Sequence, residues 1–242
     1  MFSLGIILAR AGSRGLPDKC VRPLLGRALI EYTFDHALAA RLLGTTLLST
    51  DSYPARQLAA QRGIEVVDRP AQLAGDTATI DAAARHAVEV WEARHGQAID
   101  AAVILYANIP VRAPDLIDRA IEQLQTTGGS SVRSVAPIGR HHPDWLHKLD
   151  GDRMRQYRVN SIYRRQDLTP LYYHDGAVIA VTRAALFGAL ATPHDAQAFL
   201  GPDRRALVQS PQDAVDVDET IDLLVAEAVL RWQGRHPVEA PV

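Results

Sequence analysis

The sequence predicts an α/β fold with a mostly parallel sheet and helices on both of its faces. Two observations support this prediction. Short apolar runs of strand length alternate with longer segments of helical spacing over about the first 136 residues, which is the pattern of consecutive βαβ units. The helical segments also supply the right-handed crossovers that join neighbouring parallel strands.

The apolar runs define the predicted strands. The first run, residues 4–9, contains only apolar side chains and one glycine, as expected of a strand that is buried on both faces. The other predicted strands are residues 45–49, 64–67, 101–106, 131–136 and 175–181. Residues 214–219 form a further ordered segment, which we treat as a strand.

Helices are predicted between the strands and after the last of them. Their ranges are residues 24–43, 54–61, 79 or 81 to 94, 114–127 and 220–232. Pro54 suits the first turn of a helix, whereas Gly63, Gly96 and Gly128 follow helical segments and are suited to end them.

Residues 138–173 interrupt this alternation. Polar, aromatic and cationic side chains crowd together there without a clean helical period. We interpret the segment as an excursion from the sheet, either a lid or a dimer-forming arm, inserted into a single domain of residues 1–242.

The composition limits the class of protein. A chain of 242 residues with 47% hydrophobic residues can bury a full core, and a formal charge of −2 provides no general cationic field for nucleic acid. Cys20 is the only cysteine, which excludes an intrachain disulfide and fits a reducing compartment. No secretory profile and no run near the ~20 apolar residues of a membrane span is found. We therefore expect a cytoplasmic protein with neither a membrane nor a nucleic-acid partner.

The loop after the first predicted strand is the first candidate site. Gly12 and Gly15 allow the backbone to bring amide N–H groups close to phosphate oxygens. The cationic side chains that would neutralise a triphosphate are Arg10, Arg14 and Lys19. The string is neither a P-loop nor a G-x-G-x-x-G fingerprint. From the spacing alone, a solvated loop with surface arginines is about equally compatible.

Asp216 and Asp218 form the second candidate site. In a strand, residues i and i+2 share a face, so both carboxylates would point into the same space. Two carboxylates suit Mg²⁺, which binds one or two of them together with substrate phosphates. The alternative is that Asp218 caps the helix that follows and Asp216 lies on the surface.

Three further features have weaker signals. Arg164 and Arg165 could bind a carboxylate or form an exposed inter-subunit salt bridge. His141 and His142 have no third ligand at a zinc-like spacing. Cations in the loop would lower the pKa of the Cys20 thiol if it faced the phosphates, but no supporting cysteine motif is present.

Taken together, these strings resemble the acylneuraminate cytidylyltransferase family, which comprises the CMP-sialic acid synthetases and their relatives. The loop of residues 9–19 matches the phosphate-binding motif of the family nearly throughout. The other matches, in the order of the family, are Ser49-Thr50-Asp51, Arg69-Pro70-Ala71-Gln72-Leu73-Ala74, Asp76-Thr77, Arg164-Arg165-Gln166-Asp167-Leu168, Gly176-Ala177, Asp216-Val217-Asp218 and Asp222-Leu223. The resemblance covers most of the chain.

The resemblance implies a Rossmann-like nucleotidyltransferase sheet with a small dimerisation arm, a homodimer, CTP and a sugar acid as substrates, and Mg²⁺ as the cofactor. The implied catalytic residues are Arg10, Lys19 and Asp218. The implied nucleotide-binding residues are Ala9, Arg10, Gly12, Ser13, Lys19, Arg69 and Asn108. The implied acceptor-binding residues are Tyr106, Arg165, Gln166 and Asp175, and the implied Mg²⁺ ligands are Asp216 and Asp218.

Four positions depart from the family pattern. Cys20 replaces an asparagine, and Asp175 replaces another asparagine before the Gly-Ala pair. A Gln-Pro-Thr-Ser-Pro-Leu-Arg string of the family appears as residues 106–112, Tyr-Ala-Asn-Ile-Pro-Val-Arg, and Asp144-Trp145 replaces a Leu-Lys pair. These departures affect the recognition of the acceptor more than the fold or the reaction class.

The sequence therefore predicts the transfer of CMP from CTP to the anomeric hydroxyl of a 2-keto-3-deoxy sugar acid, with release of pyrophosphate. The departures leave open a different acceptor, such as a phosphonate or a sugar phosphate. They also leave open a non-catalytic nucleotide-binding module, although Lys19, Asp216 and Asp218 argue against it.

Overall fold

The computed structural model describes residues 1–12, 15–188 and 195–235. The strands in this part of the chain are β1 Ser3–Leu8, β2 Pro23–Leu24, β3 Arg27–Ala28, β4 Thr45–Thr50, β5 Glu65–Asp68, β6 Ala101–Tyr106, β7 Ser131–Pro137, β8 His147–Asp150, β9 Arg153–Gln156, β10 Tyr172–Thr182 and β11 Arg204–Val208. The helices are α1 Leu29–Ala39, α2 Tyr53–Gln61, α3 Ala71–Ala74, α4 Ile80–His95, α5 Leu116–Thr127, α6 Arg183–Gly188 and α7 Thr220–Arg235.

Seven strands form one sheet in the order β11-β7-β10-β6-β1-β4-β5. The strands β6, β1, β4 and β5 run parallel to one another, and β11 runs parallel to β7. Only β10 is reversed among the strands of this sheet, since it pairs antiparallel with both β6 and β7. The predicted mostly parallel α/β fold is confirmed.

The two faces of the sheet carry separate hydrophobic clusters. Successive side chains of a strand point to opposite faces, so Ile7 of β1 contacts one cluster whereas Ile6 contacts the other. Helices α1, α2 and α5 cover the first face, and α4 and α6 cover the second. Buried apolar side chains on both faces therefore hold the parallel strands in place and fix the position of the loops at their carboxyl ends.

Two sequence predictions are wrong: the start of the first long helix and the strand at residues 214–219. The helix predicted to begin at residue 24 begins at Leu29, because β2 and β3 form a short hairpin before it. Leu25 and Gly26 adopt positive φ angles of 49° and 80° in the hairpin turn, which a continuous helix excludes. The segment 214–219 is extended but is not a strand of the sheet, since it contributes only an isolated bridge between Val215 and Val111.

The excursion between β7 and β10 contains a small separate sheet. Strands β8 and β9 pair antiparallel and all of their residues are exposed. After it, β10 already pairs with β7 at Tyr172, where Pro137 is its partner. The edge strand β11 is missing from the predicted elements, because its first two residues are the arginines Arg204 and Arg205. None of the helices in the described residues is both long and apolar enough to cross a membrane.

Candidate active site

A cavity of about 530 Å³ opens at the carboxyl ends of β1 and β6. Loops that follow parallel strands meet at this edge of an α/β sheet, which is where such folds bind ligands. The side chains on its walls come from four distant parts of the chain. They include Arg10, Lys19, Cys20, Arg69, Tyr106, Asn108, Asp216 and Asp218.

The loop after β1 is fixed at both ends. The backbone N–H of Ala11 donates to Oδ1 of Asp51, which lies just beyond β4, at 2.8 Å. At the other end, a Cβ atom on Gly15 would lie 2.7 Å from the carbonyl oxygen of Asp218. Such a contact is too short for any side chain, so glycine at this position allows the loop to pack directly against the acidic segment.

Each described cation on the cavity wall is held by an acceptor. Nζ of Lys19 lies 2.6 Å from Oδ1 of Asp218. Nη1 of Arg10 donates to Oδ1 of Asp76 at 2.8 Å, at the mouth of the cavity. Nη2 of Arg69 donates to the carbonyl oxygen of Ser49 at 2.7 Å, and burial lowers the pKa of this guanidinium. The cavity is thus lined by positive charge that is already oriented.

Asp216 and Asp218 project from the extended segment on the same side, with Val217 buried between them. Nδ2 of Asn108 donates to Oδ1 of Asp216 and lies 3.5 Å from Oδ1 of Asp218. Burial and, to a smaller extent, the negative charge of Asp218 together raise the pKa of the Asp216 carboxyl to about 6. Two carboxylates held this close favour a cation between them.

Asp218 does not cap helix α7. The backbone N–H groups of Asp218 and Glu219 both donate to Oδ2 of Asp222, at 2.9 and 2.8 Å. Asp222 therefore provides the cap, and the carboxylate of Asp218 is left to face the cavity. No group of three or more His, Cys, Asp and Glu side chains suited to a metal occurs among the described residues. Two carboxylates completed by phosphate oxygens nevertheless fit a hard cation such as Mg²⁺.

The wall formed by Tyr106 depends on a buried arginine. Arg112 donates to the carbonyl oxygens of Tyr106 and Ala177 at 2.7 and 2.8 Å, and to Oγ1 of Thr33 at 2.9 Å. Burial lowers the pKa of Arg112 to about 9, so its guanidinium stays charged at neutral pH. It joins the end of β6 to β10 and helix α1, and so positions both Tyr106 and Asn108.

Comparison with known proteins identifies the family. A family model described as Cytidylyltransferase matches residues 4–185. The chain belongs to the cytidylyltransferase family. The resemblance found from the sequence is confirmed.

Two curated cytidylyltransferase relatives illustrate the match. The chain is 33% identical over 177 residues to an N-acylneuraminate cytidylyltransferase of Streptococcus agalactiae, covering 72% of this chain and 41% of that protein. It is 28% identical over 234 residues to the CMP-N,N'-diacetyllegionaminic acid synthase of Legionella pneumophila, covering 94% of this chain and 95% of that protein. The chain therefore spans less than half the length of the first relative and nearly all of the second.

A solved structure shares the fold. The structure of CMP:2-keto-3-deoxy-manno-octonic acid synthetase complexed with CTP is similar with a TM-score of 0.72, covering 96% of this chain and 100% of that chain. The sequence identity is 16%, so this similarity concerns the fold alone. It matches the mostly parallel sheet described above.

Several residues expected at the site of a cytidylyltransferase lie elsewhere. Ala9 is buried in the core, and Gly12 is exposed with a φ of 68°, and neither lines the cavity. Arg165 and Gln166 lie in an exposed turn of the excursion, away from the cavity walls. Ser13 and its neighbour Arg14 lie outside the described residues.

Asp175 is buried in the sheet and does not line the cavity. Its Oδ1 accepts from the hydroxyl of Ser134 and from the backbone N–H of Ala177, and its Oδ2 accepts from Nε2 of Gln209. These bonds form at the irregularity of β10 between His174 and Ile179. Its predicted contact with the acceptor stays a prediction, and the bonds that are present organise the backbone of β10.

Cys20 lines the cavity, but its thiol is not activated. Burial raises the pKa of the thiol, and this effect exceeds the lowering caused by the positive charge of Lys19. The thiol is therefore a small apolar contact surface rather than a nucleophile.

Sequence reasoning assigned no role to Asp51, Asp76 and Asp222, although each occurs in a string that matches the family. The structure shows that they hold the loop after β1, Arg10 and the start of α7 respectively. The signal was present in the matching strings, but the partners of these carboxylates are up to 66 positions away. Spacing along the chain does not reveal the pairs of Asp51 and Asp76, whereas the bonds of Asp222 are local, three and four positions along the chain.

Proposed function

We propose that this cytidylyltransferase transfers CMP from CTP to the anomeric hydroxyl of a 2-keto-3-deoxy sugar acid. The observation that carries the proposal is the convergence of the cationic loop and the acid pair on one cavity, where Lys19 reaches Asp218. The names of the relatives support the acceptor class, since they describe enzymes of N-acylneuraminate and N,N'-diacetyllegionaminic acid.

The reaction forms one bond and breaks one bond. The oxygen of the acceptor hydroxyl attacks the α-phosphorus of CTP, and the bond between that phosphorus and the bridging oxygen breaks. The bonding electrons leave with pyrophosphate, and the hydroxyl proton passes to a base. The carboxylate of Asp218, which is exposed in the cavity, is our proposed acceptor for this proton.

The cations of the cavity would bind the triphosphate. Arg10 and Lys19 are held by carboxylates, and we propose that they exchange these partners for phosphate oxygens when CTP binds. Guanidinium and ammonium groups placed there would stabilise the charge that builds on the leaving pyrophosphate. Arg69, Asn108 and the loop that contains Gly12 and Ser13 complete the proposed nucleotide site, with Ala9 beneath it.

Asp216 and Asp218 would hold Mg²⁺. When bound, the ion would neutralise the phosphates and orient the α-phosphate for in-line attack. The two carboxylates must be aligned for this, and the hydrogen bond from Asn108 and the cap from Asp222 align them. Tyr106 forms the wall on the acceptor side, and we retain Arg165, Gln166 and Asp175 as proposed contacts of the acceptor.

We also propose a homodimer formed through the predicted arm of residues 138–173, which we shorten to residues 138–171 because β10 begins at Tyr172. Four of its apolar side chains are largely exposed, with Leu149 at 73%, Met154 at 66%, Val159 at 93% and Tyr163 at 92%. Burial of such a surface by a second copy would remove it from water. The supply of CTP and the single thiol support a cytoplasmic location for the enzyme.

The test is an assay of pyrophosphate release by the purified protein with Mg²⁺. Each of the four nucleoside triphosphates is paired with N-acetylneuraminic, N,N'-diacetyllegionaminic, pseudaminic and 3-deoxy-manno-octulosonic acids, and also with a phosphonate and a sugar phosphate. Binding of CTP is measured separately by calorimetry. We expect release with CTP and at least one of these acids. Release with a phosphonate or a sugar phosphate but with none of the acids would replace the acceptor class, and CTP binding without release on any acceptor would reject catalysis.

A further inference from the structure

Arg133 lies on the same face of the sheet as Tyr106, two strands away from it. In the register of the sheet, Arg133 of β7 pairs with Ile179 of β10, which in turn pairs with Ile104 of β6. Tyr106 follows Ile104 by two positions and therefore points to the same side. Tyr106 lines the cavity, and Arg133 lies on the same face close enough to Tyr106 to act on it electrostatically.

The guanidinium of Arg133 is partly buried, yet not all of its nitrogens have a hydrogen-bond acceptor. Its Nη1 donates to Oε1 of Gln197 at 3.2 Å, but its Nε is buried and has no hydrogen-bond partner. No carboxylate forms an ion pair with it within the described residues. Arg112, the other buried arginine of this region, contrasts with it because each of its nitrogens has an acceptor. A buried unsatisfied donor is costly unless a ligand completes it.

The groups around Arg133 leave its charge uncompensated. Asp175 lies near enough to act on it electrostatically, yet the hydrogen bonds of Asp175 go to Ser134, Ala177 and Gln209. His174 faces it from β10, and burial together with the positive charge of Arg133 lowers the pKa of this imidazole, which favours its neutral form. An anion is therefore the missing partner.

Tyr106 connects this cation to the reacting end of the cavity. Its ring packs against Gly176, where an added Cβ atom would lie 3.2 Å from Cδ2 of the ring. Burial raises the pKa of the Tyr106 phenol, while the charge of Arg133 opposes this rise and the charge of Asp216 adds to it. Tyr106 is thus within electrostatic range of both Arg133 and the acid pair. Arg133 and Asp216, which carry opposite charges, both act on the same aromatic side chain.

We propose that Arg133 binds the carboxylate of the acceptor and so selects an anionic sugar, while Tyr106 separates this carboxylate from the acid pair. The proposal rests on the proposed function, because it concerns the acceptor of that reaction. A guanidinium binds a carboxylate through two parallel N–H···O bonds. In Arg133 the unpartnered Nε and the adjacent Nη2 on the same edge would provide these two donors, while Nη1 keeps its bond to Gln197. Arg133 is then a specificity-determining residue and takes no part in the transfer of the phosphoryl group.

The experiment compares Arg133→Gln, Arg133→Lys and wild type on the acid of the panel that reacts fastest and on the C1 carboxamide of the same sugar. We expect wild type to prefer the acid by about 100-fold in kcat/KM, and Arg133→Gln to reduce this preference to nearly 1. Arg133→Lys should keep part of the preference for the acid, because lysine retains the positive charge but lacks the two parallel N–H donors of the guanidinium. The KM for CTP should change by less than about 3-fold, since Arg133 does not contact the nucleotide.

Arg85→Gln is the matched control. Arg85 lies on the same face of the sheet, is largely buried and is paired with Asp81 at 2.8 Å, so its loss tests the effect of removing a buried arginine as such. We expect its acid-to-amide preference to equal that of wild type. Calorimetric binding of CTP with Mg²⁺ checks that each variant is folded, and Arg133→Lys serves if Arg133→Gln does not fold.

Different results would contradict the proposed function and the proposed role of Arg133. No pyrophosphate release by wild type with any acid removes the proposed function, and the role of Arg133 falls with it. Release by wild type with an unchanged acid-to-amide preference in Arg133→Gln removes the role of Arg133 alone. An equal fall of kcat/KM for acid and amide would also contradict it, because a merely structural arginine gives that result.

Discussion

The ammonium of Lys19 and the carboxylate of Asp218 lie 2.6 Å apart although 199 positions separate them in the chain. The side chain of Lys19 is 15% exposed and that of Asp218 is 68% exposed, so the pair forms where the buried end of the loop meets the open cavity. Both groups have a proposed second partner, a phosphate for Lys19 and Mg²⁺ for Asp218. The ion pair then aligns the two groups before either partner arrives.

Lys19→Ala should separate metal binding from turnover. Without the ammonium, Asp218 loses a competing cation, so Mg²⁺ alone should bind more tightly in calorimetry. Turnover should nevertheless fall by about 100-fold or more, because charge on the leaving pyrophosphate loses its stabilisation. The control is Lys148→Ala, which removes the other lysine of the chain, on the exposed strand β8. A Lys19→Ala enzyme with nearly wild-type turnover would place Lys19 outside the reaction.

Gly15→Ala should weaken the binding of CTP with Mg²⁺ by about 10-fold or more. The new methyl group would lie 2.7 Å from the carbonyl oxygen of Asp218, so the acidic segment or the loop must shift. Calorimetric titration measures the effect. Gly188→Ala is the control, since an added Cβ atom there meets no atom within 4 Å. Equal affinities in the two variants would show that the contact of Gly15 with Asp218 does not position the acid pair.

Arg112→Met should lower the free energy of unfolding by about 2–4 kcal/mol, because buried acceptors lose a charged donor. The substitution removes the guanidinium donor from the carbonyl oxygen of Ala177, and from that of Tyr106, which keeps only longer bonds from Thr33 and Ile109. Denaturant unfolding at neutral pH measures the change. Arg231→Met, which removes an exposed pair with Glu227 on α7, should cost less than about 1 kcal/mol. If both variants lose the same small amount, Arg112 does not hold the end of β6.

His36 should make the fold sensitive to acid. Burial lowers the pKa of its imidazole from 6.5 to about 4, and its Nε2 lies 3.3 Å from the carbonyl oxygen of Pro110. Between these values the unfolded chain binds the proton and the folded chain does not. Stability is therefore complete above about pH 6.5 and falls towards pH 4, by on the order of 3 kcal/mol from this group.

Unfolding measured at intervals from pH 7 to pH 4 tests the role of His36. His36→Gln should flatten the profile in this range, because the amide can still donate to Pro110 but takes up no proton. His147→Gln, on the exposed strand β8, should keep the profile of wild type. A His36→Gln profile that is as steep as wild type would assign the acid sensitivity to other groups.

Much of the fold follows from local patterns in the sequence. The buried strands β1 and β6 were predicted within one residue, because apolar runs of this length have few alternatives. Strand β11 was missed because Arg204 and Arg205 are exposed at the edge of the sheet, where β-strands need no apolar alternation. The hairpin before α1 was missed because the positive φ angle of Leu25 has no signature in the residue type.

The candidate site was only partly accessible from the sequence. The sequence predicted that the carboxylates of Asp216 and Asp218 share one side of the chain, since this needs only an extended backbone. The cap from Asp222 is local, since its donors are three and four positions away, but the sequence reasoning considered only Asp218 for this role. The pair between Arg10 and Asp76 depends on how distant segments pack, and spacing does not encode it. Arg133 was overlooked for the same reason: its unfilled donor becomes visible only when its neighbours on the sheet are known.

The most direct test of the central claim follows the α-phosphate of CTP. The protein is incubated with Mg²⁺, CTP labelled with ³²P at the α-position and the acid that supports pyrophosphate release. The products are then separated and identified by mass spectrometry. The account predicts that the label appears in a CMP-sugar acid in equal amount to the pyrophosphate released. Label that stays in CTP, or that appears as free CMP at the same rate without the acid, would contradict it.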